Sequence, residues 1–213
     1  FLQRVFLPMV EKMGGKAELS LERPGFAPAG GGMIRLQVPG GTNLRPIEVL
    51  ERGGEVGRVI ECVLAHVKES VARREFGEAL SGLGWDGDCS QLIDMSESSG
   101  AGNVLAAEIE FENVRERVTA FGAHGKRAKQ VAREVVRGIK DYLGSGAVIG
   151  RRLGDQLLLP MALAGGGRFV TMAASNHLLT NAAVIEAFLP LSVSIEERER
   201  GACLVVIAPF ENS

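Results

Sequence analysis

Strong net charge and long apolar segments are both missing from this sequence. The formal net charge is only −2, so any contact with a nucleic acid or an acidic membrane must use a local patch rather than the field of the whole chain. No apolar run reaches the roughly 18 to 20 residues that span a bilayer, and the first residues lack the charged and apolar regions of a secretory signal. We therefore expect a soluble protein without a membrane partner.

Three common patterns of reactive residues are missing as well. The cysteines, Cys62, Cys89 and Cys203, lie far apart without metal-type spacing, which favours reduced structural thiols in a cytosolic-type compartment. There is no GxSxG nucleophile elbow of a Ser/His/Asp hydrolase, and the glycine-rich segments do not match the GxxxxGK(S/T) phosphate loop. A reactive centre must therefore be sought among other residues.

The sequence does contain enough apolar residues for a folded core. Its 213 residues are 46% hydrophobic and 23% charged, which suits one sizeable domain or two small ones. The chain begins at Phe1 rather than at a Met, and residues 2–13 already follow an amphipathic helical pattern. We expect a fragment that starts in mid-fold, with N-terminal elements of the same fold absent.

Periodicity predicts a mixture of strands and helices. Helical spacing of apolar residues is found at 2–13, 67–83, 126–143, 155–163 and 182–189. Alternating or apolar runs predict strands at 16–23, 34–38, 47–52, 57–65, 91–95, 104–111, 115–121, 168–172, 191–195 and 202–207. The periodicity changes after the turn-rich segment PGGTNLRP at 39–46. Residues 44–147 are therefore predicted to form a small inserted domain.

Two features leave a structural and a functional interpretation open. The loop PGFAPAGGG at 24–32 is either a flexible hairpin connection or a place where the backbone approaches a ligand closely. One face of the helix at 126–143 carries a basic stripe, which is either a solvated face or a grip for a phosphate backbone. Its members are Lys126, Lys129, Arg133, Arg137 and Lys140.

The stretch 151–191 is the least polar part of the chain, yet it contains isolated polar side chains. They are Asp155, Gln156, Asn176, His177, Thr180 and Asn181. A buried polar group without a partner costs about 1 to 3 kcal/mol, so these residues either bond to one another or line a site. We expect Asp155 in the first turn of a helix as a cap, and His177 at a connection between a strand and a helix.

His177 itself has two interpretations. It is either a structural imidazole held by two hydrogen bonds, or a base or nucleophile with Asp155 as a nearby orienting group. A metal site is disfavoured, because His66 and His124 are remote in sequence and no close pairing of ligands exists. We accordingly assign no residue to a metal.

Six motifs along the chain are more specific than its periodicity. The two longest are RRLGDQLLLPMALAGGGRF at 151–169 and SNHLLTNAAVIEAFLP at 175–190. Upstream lie four shorter segments: GFAPAGGG at 25–32, HVKESVARRE at 66–75, GAGN at 100–103 and GAHGKRAKQVA at 122–132. In this order the six motifs resemble those of the RNA 3′-terminal phosphate cyclase family, and the resemblance covers essentially the whole sequence.

This resemblance implies an activity and a mechanism. His177 stands at the position of the family's nucleophile, which attacks the α-phosphorus of ATP to give a covalent histidine adenylate. The adenylate passes to an RNA 3′-phosphate, and the neighbouring 2′-hydroxyl then closes a 2′,3′-cyclic phosphate and expels AMP. A divalent cation such as Mg²⁺ would neutralise the phosphates. The implied ATP-contacting residues are Arg152, Leu153, Gly154, Asp155 and Gln156.

The resemblance also implies a fold and a location. The family's fold is an α+β sandwich, a large domain of βαβαββ units interrupted by a small α/β domain. Residues 1–43 and 148–213 would belong to the large domain and 44–147 to the insertion. We expect a cytoplasmic protein whose partners are an RNA with a 3′-phosphate end and the missing N-terminal part of its own fold.

Departures from the family pattern concern substrate contacts. Arg152 stands where a tyrosine is common, Pro24 and Ala27 differ in the glycine loop, and Lys129 replaces a usual glutamate. The alternative function is that of the cyclase-like ribosome biogenesis proteins, which share the fold, bind RNA and lack the nucleophilic histidine. The presence of His177 favours the enzyme.

Overall fold

The first segment of the chain is a helix followed by a two-stranded hairpin. The computed structural model describes residues 1–210. A π-helical turn at Leu2–Phe6 continues into α1 (Leu7–Lys12), and Val5, Met9 and Met13 are buried on one side. β1 (Glu18–Arg23) pairs antiparallel with β2 (Met33–Gln37). The short strand β3 (Glu48–Val49) follows, so the strand predicted at 47–52 is shorter than expected.

The middle of the chain forms one sheet covered by two helices. Its elements are β4 (Glu55–Ala65), α2 (Glu69–Leu83), β5 (Ser90–Asp94), β6 (Gly102–Phe111), β7 (Arg115–Phe121) and α3 (Ala128–Gly144). The strand order is β5-β4-β6-β7, with β6 and β7 joined as the predicted hairpin. The apolar stripe of α3, with Val131, Val135 and Ile139, packs in a core of its own. We call this unit the insertion.

The rest of the chain forms a second sheet. Its elements are α4 (Arg151–Leu163), β8 (Gly167–Met172), α5 (Asn176–Phe188), β9 (Leu191–Glu197) and β10 (Ala202–Pro209). The strand order is β3-β8-β10-β9, with β3 parallel to β8. In chain order β3, α4, β8, α5, β9 and β10 make a βαβαββ unit, and the insertion interrupts it after β3. Its core includes Leu153, Leu157, Met161 and Phe169, together with Met9 of α1.

The expected α+β class is thus confirmed. The two sheets have separate hydrophobic clusters, which fits an inserted domain, although the limits predicted for it at 44 and 147 stay a prediction. β3 lies inside those limits but pairs with β8 of the second sheet. Within residues 1–210, no helix is both long and apolar enough to cross a membrane.

The two cores meet at a cluster of four charged side chains, which we call the interface cluster. Arg4 contacts Glu61 at 2.5 Å and Glu108 at 3.0 Å, and Arg117 contacts the same two carboxylates at 2.5 and 2.7 Å. Both glutamates are buried. Glu61 faces two guanidinium groups, and Glu108 faces a third, that of Arg115 at 3.5 Å. The attraction of these groups offsets the cost of removing the charges from water.

Candidate functional site

His177 lies in the first turn of α5. Ser175 is the N-cap of this helix, and its Oγ accepts a hydrogen bond from the backbone N–H of Leu178 at 3.0 Å. A serine in this position satisfies an otherwise unpaired N–H and starts the helix at Asn176. The prediction that His177 belongs to the preceding connection is therefore wrong, because the cap begins the helix earlier than the apolar spacing suggested.

The imidazole of His177 is exposed and unpaired. His66 bonds to the carbonyl of Ser98 at 2.7 Å, whereas His177 has no hydrogen-bond partner within residues 1–210. A structural histidine held by two hydrogen bonds is thus not what the structure contains. The ring is open to a ligand from the solvent side, as a nucleophile or base must be.

Asp155 connects α4 to α5 through Ser175. Its Oδ1 accepts a hydrogen bond from Ser175 Oγ at 2.8 Å, and Asn181 Nδ2 donates to its backbone carbonyl at 3.3 Å. α4 begins at Arg151, so Asp155 lies beyond the first turn, and the predicted capping of its own helix is wrong. Nor does it bond to His177. It fixes the cap residue of the helix that carries His177.

Gln156 presents an unused acceptor. Its side-chain Oε1 is buried and has no hydrogen-bond partner within the described part of the chain. A buried acceptor without a donor costs about 1 to 3 kcal/mol. Because the atom is closed to solvent in this structure, a donor brought by a ligand would relieve this cost only after the side chain is exposed.

The remaining residues of the predicted ATP segment differ in exposure. Leu153 is fully buried in the core, and Gly154 packs against Thr171, whose Oγ1 would be 2.6 Å from a Cβ at this position. Arg152 is exposed, with its guanidinium carbon 5.3 Å from the centre of the Phe1 ring. Leu153 and Gly154 therefore anchor the helix, while Arg152 faces outward.

The N-cap of α5 is held against the second turn of α4. Asp155 accepts a hydrogen bond from Ser175 and, through its carbonyl, from Asn181, while neither first turn contains an acidic residue. The N-terminus of a helix carries a partial positive charge of roughly half an elementary charge. Two N–H groups at these helix ends are already bonded, that of Gly150 to Glu116 and that of Leu178 to Ser175. The first turn of α4 adds the basic side chains of Arg151 and Arg152, and we call this region the α4–α5 junction.

The divalent cation is not matched by a ligand set. Within residues 1–210, no three His, Cys, Asp or Glu side chains come together in a way that could hold a metal ion. Carboxylate ligands are what Mg²⁺ prefers. The described residues alone therefore do not fit a resident cation.

Comparison with known proteins decides the family. The model of the RNA 3′-terminal phosphate cyclase family matches residues 1–195. The chain belongs to this family. Three curated relatives are named RNA 3′-terminal phosphate cyclase. The protein of Koribacter versatilis is 39% identical over 202 residues, which cover 95% of this chain and 57% of the relative.

Two cyclases from Pseudomonas match this chain with similar identity and coverage. The protein of Pseudomonas fluorescens Pf-5 is 41% identical over 193 residues, covering 91% of this chain and 56% of the relative. That of Pseudomonas aeruginosa UCBPP-PA14 is 37% identical over 207 residues, covering 97% and 60%. The chain thus spans less than two thirds of the length of the cyclases that it matches.

Two of the cyclase-like motifs contact each other. In the GFAPAGGG loop, Phe26 is nearly buried, and its carbonyl would be 2.8 Å from a Cβ at Gly100 of the GAGN turn. Gly31 approaches Ser99 in a similar way. The glycines at 100 and 31 therefore allow this hairpin loop to pack closely on the insertion. This packing supports the interpretation of the loop as a structural connection rather than as a segment that approaches a ligand.

The basic stripe of α3 is partly neutralised. Lys126 pairs with Glu134 at 2.8 Å, and Lys129 pairs with Glu78 of α2 at 3.2 Å. Its arginines at 133 and 137 are exposed. The stripe thus has the character of a solvated helix face.

Proposed function

We propose that the full-length protein converts the 3′-terminal phosphate of an RNA to a 2′,3′-cyclic phosphate at the expense of ATP, through a covalent adenylate on His177. The observation that supports this proposal best is the exposed, unpaired imidazole of His177 in the first turn of α5, whose N-cap Ser175 is bonded to Asp155 of α4. Membership of the cyclase family and the names of its relatives supply the substrate class.

The first step is transfer of AMP to the enzyme. A ring nitrogen of His177 attacks the α-phosphorus of ATP, a P–N bond forms, and the bond to the bridging oxygen breaks so that pyrophosphate leaves with its electrons. Imidazole is suited to this chemistry because it is both a good nucleophile and a good leaving group. The helix N-termini and Arg152 stabilise the negative charge of the phosphates.

Two further displacements complete the reaction. An oxygen of the RNA 3′-phosphate attacks the phosphorus of the adenylate, and the imidazole leaves, which gives an RNA carrying AMP on its 3′-phosphate. The vicinal 2′-hydroxyl then attacks the 3′-phosphate phosphorus and loses its proton. AMP is expelled, and the 2′,3′-cyclic phosphate remains. The net change is a dehydration driven by cleavage of ATP to AMP and pyrophosphate.

Each residue of the α4–α5 junction has a role in this scheme. Asp155 holds Ser175, and Ser175 caps the helix that presents His177. Gln156 Oε1 accepts a hydrogen bond from the nucleotide, and Arg152 attracts its phosphates. Leu153 and Gly154 fix α4 against the core.

A binding role in ribosome biogenesis is the second candidate. Cyclase-like proteins of that kind lack the nucleophilic histidine, and here His177 is both present and sterically open. Exposure alone does not separate the two roles, because His124 is exposed as well. The position of His177 within the HLLTN motif of the cyclases favours the enzyme. The enzyme is therefore the function that the site supports better.

The test uses the full-length protein with ATP labelled on the α-phosphate and Mg²⁺. After denaturation, the wild type should retain an acid-labile, alkali-stable label, as expected of a P–N bond. His177→Ala should lose it, while the matched variant His124→Ala, another exposed histidine, should keep it. No label on the wild type, or equal label on H177A, would contradict the proposal. Conversion of a 3′-phosphate RNA then tests the substrate.

A further inference from the structure

Glu116 of the insertion contacts the start of α4. The backbone N–H of Gly150, the N-cap residue of α4, donates a hydrogen bond to Glu116 Oε2 at 3.0 Å. Glu116 lies on β7, 34 residues away in sequence, and only 6% of its surface is exposed. Gly150 has no side chain to cap the helix. Glu116, a side chain from the other core, instead accepts the N–H of the N-cap residue itself, as the glutamate of a capping box does.

The fit between Glu116 and Gly150 is close. A Cβ at position 150 would collide with the Glu116 carboxylate, so any other residue there would displace it. On the other side, Thr171 Oγ1 lies 3.3 Å from the carbonyl of Ile149 and can donate to it. The backbone that enters α4 is thus held between the insertion and β8.

Arg52 and Tyr142 link the two chain segments that connect the cores, one at residue 52 and the other at residues 147–148. Arg52 Nε donates to the carbonyl of Ala147 at 2.6 Å, and a terminal nitrogen donates to the carbonyl of Tyr142 at 2.9 Å. The guanidinium carbon lies 4.1 Å from the centre of the Tyr142 ring. The Tyr142 hydroxyl donates to the carbonyl of Val148 at 2.7 Å. The segment that leads into Gly150 therefore has little freedom to move independently of the insertion.

The charges around Glu116 do not form a direct ion pair with it. Burial raises the pKa of its carboxyl to about 7, while the Gly150 N–H, the guanidinium groups of Arg152 and Arg52 and the backbone N–H of Arg117 oppose that rise. The Tyr142 hydroxyl is the remaining titratable group close by. Glu116 differs in this from Glu61 and Glu108, which are paired with arginines.

We propose that Glu116 is a positioning residue for the nucleotide site, and that it orders the first turn of α4 by accepting the Gly150 N–H and thereby holds Arg152, Asp155 and Gln156 in place for ATP. This inference rests on the proposed function. It makes the insertion part of the adenylation apparatus, although none of its side chains need touch the nucleotide. The Gly150 N–H opposes the rise in the Glu116 pKa, so this one bond is stronger to the ionised carboxylate even though burial makes ionisation unfavourable for the fold as a whole.

The test compares Glu116→Gln and Glu116→Ala with Glu110→Gln in the full-length protein. Glu110 is a matched control, because it lies on the adjacent strand β6 and pairs with Arg115. E116Q keeps an acceptor but no charge, so it should fold even if E116A does not. We expect the KM for ATP in adenylate formation to rise about five- to tenfold in E116Q, with the rate at saturating ATP within about twofold of wild type.

Two further readouts separate positioning from general stabilisation. In the wild type, the KM for ATP should fall as the pH rises through about 7. This pH dependence of the KM should be missing in E116Q. The amides of residues 150–154 should exchange hydrogen faster in E116Q than in E110Q, without any ATP. We do not expect E116Q to form the adenylate more slowly at an unchanged KM for ATP.

The outcomes distinguish this proposal from the proposed function. If the wild type forms no adenylate, the proposed function is wrong and the link to ATP falls with it, while hydrogen exchange still measures the capping. If the wild type forms it and E116Q shows the same KM and pH profile, the positioning role alone is contradicted. A lower KM in E116Q would mean that the carboxylate merely repels the nucleotide, and this also contradicts the proposal.

Discussion

Polar side chains are paired with one another in the interface cluster, whereas at the α4–α5 junction some of them have no partner. In the cluster, Glu61 and Glu108 are buried and each contacts both Arg4 and Arg117. At the junction, the imidazole of His177 has no partner among residues 1–210, and Gln156 Oε1 is buried without a donor. Saturated polar groups hold the two cores together. The exposed imidazole in the first turn of α5 is available to a ligand, whereas the amide oxygen of Gln156 is a buried acceptor without a partner.

The largest effect on stability is expected in the interface cluster. Arg117→Ala removes one guanidinium and leaves two buried carboxylates facing Arg4, which should lower the free energy of unfolding by about 3 to 5 kcal/mol. Urea unfolding at neutral pH measures the change. Arg133→Ala on the exposed face of α3 is the control and should stay within about 0.5 kcal/mol. Equal stability of the two variants would show that the cluster contributes nothing.

Glu116 should make stability depend on pH in the direction opposite to Glu61. Its folded pKa is raised from 4.5 to about 7, so the unfolded chain releases this proton first, and stability falls as the pH rises from about 4.5 to about 7. The difference is at most about 3 kcal/mol. Glu61 has a lowered pKa because Arg117 and Arg4 outweigh its burial, so its contribution is lost as the pH falls below 4.5.

Unfolding of the wild type and E116Q over this pH range measures the effect. The free energy of unfolding of the wild type, taken relative to that of E116Q, should fall steadily from pH 4.5 to 7 and then level off. Parallel stability curves for the two proteins would contradict the assignment of the raised pKa to Glu116.

The elements with long, regular periodicity were predictable from sequence. The hairpin β6–β7 and helix α3 lie within two residues of their predicted bounds, because an apolar stripe at fixed spacing reports which side is buried. The start of α4 was not predictable in this way. Gly154 looks like a helix breaker, yet it lies inside the helix where it packs against Thr171.

Contacts between the two cores could not be predicted at all. Glu116 meets Gly150 only because β7 and α4 lie side by side in the folded chain, and no local pattern marks a carboxylate that caps a distant helix. Ser175 is different, since a serine before an apolar helical run is itself a start signal. Family resemblance predicts His177 as the nucleophile, which stays a prediction, but it does not predict the bond from Asp155 to Ser175, the N-cap of α5.

Ser175→Ala should have a moderate effect. It removes the acceptor for the Leu178 N–H and the donor to Asp155, and loss of an N-cap typically costs about 1 kcal/mol. Thermal unfolding measures the cost. Ser175→Asp restores an acceptor for the helix but sets two carboxylates against each other, so it should recover less than Ser175→Asn. Full recovery by aspartate would mean that the contact with Asp155 does not matter.

The smallest effect on stability is expected at His177. Because its imidazole is exposed and unpaired, His177→Ala should change the free energy of unfolding by less than about 0.5 kcal/mol, although it should abolish adenylate formation. Unfolding in urea, compared with His124→Ala, measures this. A loss of several kcal/mol would show that His177 supports the fold, and the contrast with the interface cluster would disappear.

The central claim is that the α4–α5 junction carries the nucleotide covalently. The most direct measurement is mass-spectrometric mapping of AMP on full-length wild-type protein after reaction with ATP and digestion with trypsin under alkaline conditions. Cleavage after Arg168 and Arg198 releases a peptide of residues 169–198, in which His177 is the single histidine. The account predicts AMP on this peptide, at His177. AMP on a peptide containing His66, His124 or a lysine instead would contradict it.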